Sequence, residues 1–506
     1  MKFLYPFLLL LFISGASFAQ TLYQIRADTV KIYSTCDSAE LILENRTKDT
    51  AGFLFNKGKG LTEFRKIKLK AIGNDSIAVA GQDTIKLPPG YTLSNNKKLV
   101  IFGSSVAYGQ GASQNQGWAY KLAQVLTPQG YTVVNKSIPG NNTQALINRF
   151  YKDVVPEQPD VVIIALSFAN EGLQSATRPD DKSNVYLNYV NKLYTLVGMC
   201  RKAGIRAVVT GIYPANVYSE DDYTLLKNFD DEMENSDIPF INFLGAADDG
   251  HGHWRSGMFA DALHPNDIGH EAMFRAIPPG FFDKVYNNFQ LRAITIPPHQ
   301  EGLTMGDDRN IAPAMAHDLQ RVGSFTVTFW TRRKDFSGSQ AFFCFDGGYL
   351  RVRCPDNYYQ LAWEAPNGTI ISNTNSADTL WHHFAITYSY YTDSISFYVD
   401  ANLIGTKYLN GILGNISIAA LGSWFAINPI YNPIHADFST YTFHRVALLP
   451  QDIKKIYYGK IPKGSAEIIS GLGDKEFLPG RHLINQAYSN GSLRVGIPGI
   501  LPFNAR

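Results

Sequence analysis

Hydrophobic positions along the chain change their period twice, and the changes mark out three regions. Up to about residue 95, short β-compatible runs such as 39–43 (AELIL) and 76–80 (SIAVA) lie between Gly, Asn and Asp turn signals. This predicts a small β-rich domain over 20–96. From 97 to 287, continuous apolar runs at 99–102, 131–134, 161–166, 207–209 and 240–243 alternate with helical periodicity at 119–126, 143–151 and 186–202. Strands buried on both faces and separated by helices predict a parallel sheet in a three-layer, doubly wound α/β domain. Ligands of such sheets bind beyond the carboxyl ends of the strands.

From residue 323 to 463 the period returns to two, as in 324–330, 381–388 and 394–399, and four of the six Trp fall here. Many short alternating strands predict an antiparallel β-sandwich. Residues 288–322 read as a linker with a lead-in strand, Pro297-Pro298 punctuating it, and 464–506 as a Gly- and Pro-rich tail of unassigned role.

The first 19 residues stand apart. Lys2 precedes the apolar run 7–13, and Ser17-Phe18-Ala19 offers small residues at the positions a signal peptidase reads. The run is too short to span a bilayer, so the expectation is a cleaved signal peptide without a transmembrane anchor, and a periplasmic, cell-surface or extracellular protein.

Composition narrows the function classes. At 506 residues with 45% hydrophobic positions, the chain is long enough for about three cores and is neither disordered nor a coiled coil. Lys+Arg 46 against Asp+Glu 44 leaves +2, with no basic surplus for nucleic acid. Four Cys are too few for a disulfide framework, and none has zinc-site spacing. A tight turn at Gly347-Gly348 would set Cys344 opposite Arg351 and not Cys354, so all four Cys read as buried thiols.

Candidate chemistry concentrates in four blocks of the α/β region, three of them directly after a predicted strand. Gly103-Ser104-Ser105 can present a serine hydroxyl at the crevice. Gly140, in the loop after the next strand, can aim a backbone N–H at a developing oxyanion, or lead into an Asn-capped helix. Asn170 can offer a side-chain amide or cap a turn. Asp261 stands three residues before His264, a spacing that lets a carboxylate hold one ring nitrogen while the other faces a serine. Pro265 is expected to start the following helix. His251 and His253 resemble a metal pair but lack an obvious third ligand.

In this order and strand context, the four blocks resemble the SGNH/GDSL hydrolase family over residues 97–285. The resemblance implies a flavodoxin-like α/β fold and ester hydrolysis without a metal or organic cofactor. Ser105 would be the nucleophile, His264 the general base and acid, and Asp261 its orienting carboxylate. The Ser105 and Gly140 N–H groups and the Asn170 amide would form the oxyanion hole. Two positions depart from the family pattern: Ser104 replaces the usual Asp before the nucleophile, and Phe168-Ala169-Asn170-Glu171 stands for Gly-x-Asn-Asp.

The third region, with 381–388, Phe397-Tyr398-Val399-Asp400 and 443–450, resembles the concanavalin A-like LamG sandwich, although Ala401 replaces the usual Gly. That resemblance implies glycan binding, often with structural calcium, or a spacer role. The expected protein is an exported serine esterase that deacetylates acylated carbohydrate. The alternatives are a lipid or thioester hydrolase and an inactive cell-surface glycan-binding protein.

Overall fold

The structure, a computed structural model, describes residues 97–287 and 435–472 without a break. It also describes 53–56, 62–65, 69–72, 76–79, 84–86, 294–296, 303–305, 314–335, 340–345, 351–354, 362–365, 368–371, 378–409, 411, 416, 418–422, 482–483, 485–491 and 493–496. The signal segment and the run at 39–43 lie outside these residues. Two compact units result, Met1–Lys70 with Ala78–Asp83, and Ala71–Ile77 with Thr84–Arg506. Within the first, Phe53–Asn56 pairs antiparallel with Thr62–Arg65.

In the second unit, β1 (Lys98–Gly103), β2 (Thr132–Asn135), β3 (Val161–Ala165), β4 (Arg206–Thr210) and β5 (Phe240–Ile241) form a parallel sheet in the order β5-β4-β3-β1-β2. This is the flavodoxin-like doubly wound order. Period-two alternation sends successive side chains to opposite faces. Leu99, Ile101, Val161 and Ile163 pack beneath α2 (Trp118–Leu126), α7 (Asp267–Ala276) and α8 (Phe281–Tyr286). Val100, Phe102, Val162 and Ile164 meet α3 (Thr143–Asp153), α4 (Pro179–Lys202) and α5 (Glu220–Asn235) on the other side. Helix α4 begins earlier than the periodicity at 186–202 suggests. Pro179 fits its first turn, Asp180 and Asp181 favour its N-terminal end, and Arg201 and Lys202 its C-terminal end.

Two local expectations are corrected. The run at 240–243 is a strand only to Ile241, because the Asn242 side chain accepts the Gly245 N–H at 2.7 Å and caps α6 (Phe243–Ala247). Pro265 does not start α7; Asn266 caps it instead, accepting the N–H groups of Ile268 and Gly269.

The second β-rich region is a sandwich of two antiparallel sheets. One contains β6 (Phe325–Arg333), β7 (His382–Ser389), β8 (Ser394–Val399), β9 (Asn402–Tyr408), β10 (Ala436–His444) and β11 (Ala466–Ser470), with Leu303–Met305 at an edge. The other includes Gln340–Phe345, Ile418–Leu421, Ala314–Asp318 and Leu493–Gly496. Aromatic side chains from both, Phe325, Phe329, Phe343 and Phe384 among them, share one core. The sandwich therefore draws strands from the expected linker and from the expected tail, Ala314–Asp318 pairing with both Ile418–Leu421 and Leu493–Gly496. Register sets Cys344 opposite Arg351, the pairing expected from the sequence. The sandwich also buries Val446, Leu448 and Ile456 in the same core as the α2/α7 face of the α/β domain, Ile456 on α9 (Pro450–Tyr457). Arg445 and Glu467, both fully buried, pair at 2.7 Å, and Arg445 also donates to the Arg321 carbonyl.

Candidate active site

Strand β1 delivers its carboxyl end into α1 (Ser105–Tyr108), a single turn. Gly103 is required there by close approach, since a Cβ would sit 2.2 Å from the Ala165 carbonyl oxygen of β3. Ser105 begins the helix with its side chain nearly buried at 9% exposure. No side chain caps α1, so the Ser105 N–H is among the helix's unsatisfied first-turn donors.

The loop 257–266 brings the imidazole back to this serine. His264 Nε2 lies 3.0 Å from Ser105 Oγ, and His264 Nδ1 lies 2.8 and 2.9 Å from the two Asp261 carboxylate oxygens. With Nδ1–H donating to Asp261, Nε2 is left to accept the Ser105 proton. Asp261 Oδ1 also accepts the N–H groups of Leu263 and His264 at 2.8 and 2.9 Å. Burial raises the Asp261 pKa, but the hydrogen bonds from the His264 ring and those two N–H groups outweigh it and hold the carboxyl below its ordinary value. The ring side chain is 12% exposed and the carboxylate 55%.

Several contacts anchor the loop. The Ala260 N–H donates to the His264 carbonyl, Asn266 Nδ2 to the Gly257 carbonyl, and the Asn216 N–H to the Ala262 carbonyl. Gly111, at φ 89°, lets the chain after α1 press against them: a Cβ there would meet the Pro265 carbonyl oxygen at 2.2 Å and His264 Cβ at 3.0 Å.

Asn170 sits in the single turn Phe168–Glu171 after β3. Its Oδ1 accepts the Ser104 hydroxyl at 3.0 Å and the Ser167 N–H at 3.3 Å, which fixes the amide plane and leaves Nδ2 without a partner among the described residues. Gly140 occupies an exposed turn at φ 79°, closed by the Asn141 N–H on the Ile138 carbonyl. Its N–H has no backbone acceptor among the described residues. Asn142 does cap α3, through Ala145, so the helix-capping reading of this loop is also realised.

Two contributors escape sequence reasoning. Ser104, fully buried, reads only as a departure from a pattern, yet its hydroxyl holds Asn170. His270, buried on α7, accepts the Trp118 N–H at Nδ1 and donates from Nε2 to the Gln110 carbonyl, tying the loop after α1 to α2. Burial pushes its pKa down to about 4, so it stays neutral. Its spacing on an apolar helix face is that of any core residue, and no sequence signal separates the two.

The histidines considered as a metal pair, and those of strand β7, face elsewhere. His251 Nδ1 pairs with Glu220 at 2.7 Å, and His253 Nε2 lies 2.9 Å from the Tyr218 carbonyl oxygen. In the sandwich, Asp400 binds His382 and the His383 N–H. Among the described residues no group of three His, Cys, Asp or Glu side chains is arranged to hold a metal ion. No described helix is long and apolar enough to cross a membrane.

Comparison with known proteins places this geometry in context. Residues 101–272 match the model of the GDSL-like Lipase/Acylhydrolase family, and residues 305–453 that of the Concanavalin A-like lectin/glucanases superfamily. Esterase TesA of Pseudomonas aeruginosa is 27% identical over 173 residues, covering 33% of this chain and 79% of that protein. Among solved structures, a variant of an acetyl xylan esterase from Geobacillus stearothermophilus is 22% identical, covering 37% of this chain and 94% of that one, at a TM-score of 0.28. A candidate carbohydrate-binding protein from Bacteroides ovatus is 15% identical with a TM-score of 0.32; the match covers 40% of this chain and 58% of that one. The chain thus carries a GDSL-like hydrolase domain at residues 101–272 and a concanavalin A-like domain at residues 305–453.

Proposed function

We propose that the protein is an exported serine esterase that removes acyl groups, acetyl foremost, from carbohydrate. The observation that carries the esterase chemistry is the unbroken relay Ser105 Oγ–His264–Asp261 at 3.0 and 2.8 Å. Ser105 Oγ attacks the ester carbonyl while His264 Nε2 takes its proton, and Asp261 stabilises the imidazolium. The carbonyl oxygen gathers negative charge within reach of the Ser105 N–H, the Gly140 N–H and Asn170 Nδ2. His264 then protonates the departing alcohol, and the acyl-enzyme is released when His264 activates water for the reverse sequence.

Losing one oxyanion donor of this kind costs on the order of 3–4 kcal/mol of barrier. Carbohydrate as the alcohol portion is supported by the concanavalin A-like domain fused to the hydrolase, and export by the Lys2-led apolar leader. The test is hydrolysis of a short-chain chromogenic acetyl ester by the mature chain and by Ser105→Ala. The variant is expected to lose the activity by several orders of magnitude; equal rates would remove the nucleophile assignment.

A further inference from the structure

A cleft of about 1360 Å³ opens between the α/β domain and the sandwich. Its hydrolase wall comes from α2, α7 and the stretches that flank the catalytic side chains in the chain. Gln116 lies on the connection from α1 to α2, and Asp267 and Ile268 open α7 three and four residues after His264. The Ser113 N–H on Asp267 Oδ1 ties these segments together. The opposite wall is the edge of the sandwich: Tyr390 and Tyr391 in the β7–β8 turn, and Tyr408 at the end of β9.

The lining has a distinct chemistry. Tyr390 and Tyr408 are 49% and 59% exposed, unlike the sandwich's buried core aromatics. Tyr391 buries its hydroxyl oxygen without a hydrogen-bond partner among the described residues, a state that a native structure ordinarily relieves with a ligand or water. Charges in the wall are largely committed: Lys121 and Arg275 both pair with Glu271, and Asp393 accepts the Tyr388 hydroxyl. Arg321, over the Phe274 ring, adds a planar set of donors. Exposed amphipathic rings beside hydrogen-bonding groups suit a polyhydroxylated chain, whose C–H faces stack and whose hydroxyls pair. A wall bearing six charged side chains is a poor surface for an acyl tail.

We infer that this cleft is a glycan subsite in which the sandwich tyrosines hold the sugar chain whose ester enters the Ser105 site. The inference rests on the esterase reading above and supplies its substrate class: a polymer or oligomer longer than the acylated sugar itself. The sandwich then acts as one wall of the substrate site.

The experiment uses the full mature chain and the Tyr390→Ala/Tyr408→Ala double variant. Acetate release is followed from acetylated xylan and acetylated glucomannan, beside a chromogenic acetyl ester and a long-chain acyl ester. The expected result is a KM for at least one polysaccharide that rises about tenfold or more relative to KM for the small ester, with polymer kcat little altered. Tyr390→Phe/Tyr408→Phe, which keeps the rings, should restore the polymer KM. Parallel changes on polymer and small ester would overturn the subsite. So would a selective loss on the long-chain ester, or no acetate from either polysaccharide while the small ester is cleaved. Absence of activity on every ester would instead overturn the esterase reading itself.

Discussion

Replacing Asp261 with Asn tests the relay at its most informative atom. Oδ1 of Asp261 already accepts two backbone N–H groups, from Leu263 and His264, so an Asn would keep its carbonyl oxygen in that place. Its amide NH2 would then occupy the Oδ2 position, 2.8 Å from His264 Nδ1. Two donors cannot face each other at that distance. Nδ1–H keeps the amide oxygen at 2.9 Å but meets the repelling NH2, so the population shifts toward the Nε2–H tautomer, which cannot accept from Ser105. In a fully buried triad the corresponding change costs about 10⁴ in kcat. Here the carboxylate is 55% exposed, so water can compete for Nδ1, and the expected loss is on the order of 10²–10³ in kcat, about 3–4 kcal/mol. Steady-state hydrolysis of a short-chain chromogenic ester measures it, with KM expected to stay within about threefold. The loop should remain folded, because its backbone hydrogen bonds survive. A loss of kcat below tenfold would show that Asp261 does not set the tautomer.

Two further outcomes follow from contacts around the site and the domain seam. Ser104→Ala removes the 3.0 Å donor that fixes Asn170 Oδ1 and leaves only the weaker Ser167 N–H, so kcat should fall about 10-fold, less than for Asn170→Ala, at nearly constant KM; an unchanged kcat would separate Ser104 from the oxyanion amide. Glu234, whose carboxylate accepts the Lys463 and Gly464 N–H groups, is pushed up to about 7 by burial, against the pull of Lys463 and those N–H groups. The folded state therefore binds more protons than the unfolded chain between about pH 4.5 and 7, and stability falls as pH rises through that window. Glu234→Gln keeps an acceptor for both N–H groups without the ionisation, so its urea midpoint should fall less than wild type between pH 5 and 8; equal falls would refute the assignment.

The chain's apolar periods and short motifs determined much of this protein on their own. Runs such as 161–166 can be stable only inside a sheet covered on both faces, and that dictates the α/β layering. Ser105, Gly140, Asn170 and the Asp261-x-x-His264 pair were legible because each is a chemically special residue at a loop that such a sheet must place at its carboxyl edge. The Asp261–His264 contact itself is local, set by a three-residue spacing. What lay beyond the sequence were contacts between segments whose residues look ordinary: Ser104 holding Asn170 across 66 positions, His270 fastening Gln110, and the strands Ala314–Asp318 and Leu493–Gly496 closing the sandwich from its expected flanks. The cleft edged by Tyr390 and Tyr408 belongs to the same class. A periodic pattern records which face of an element avoids water, and it is silent on which distant hydroxyl or ring will meet that face once the layers pack; only the folded chain, by closing those separations, decides it.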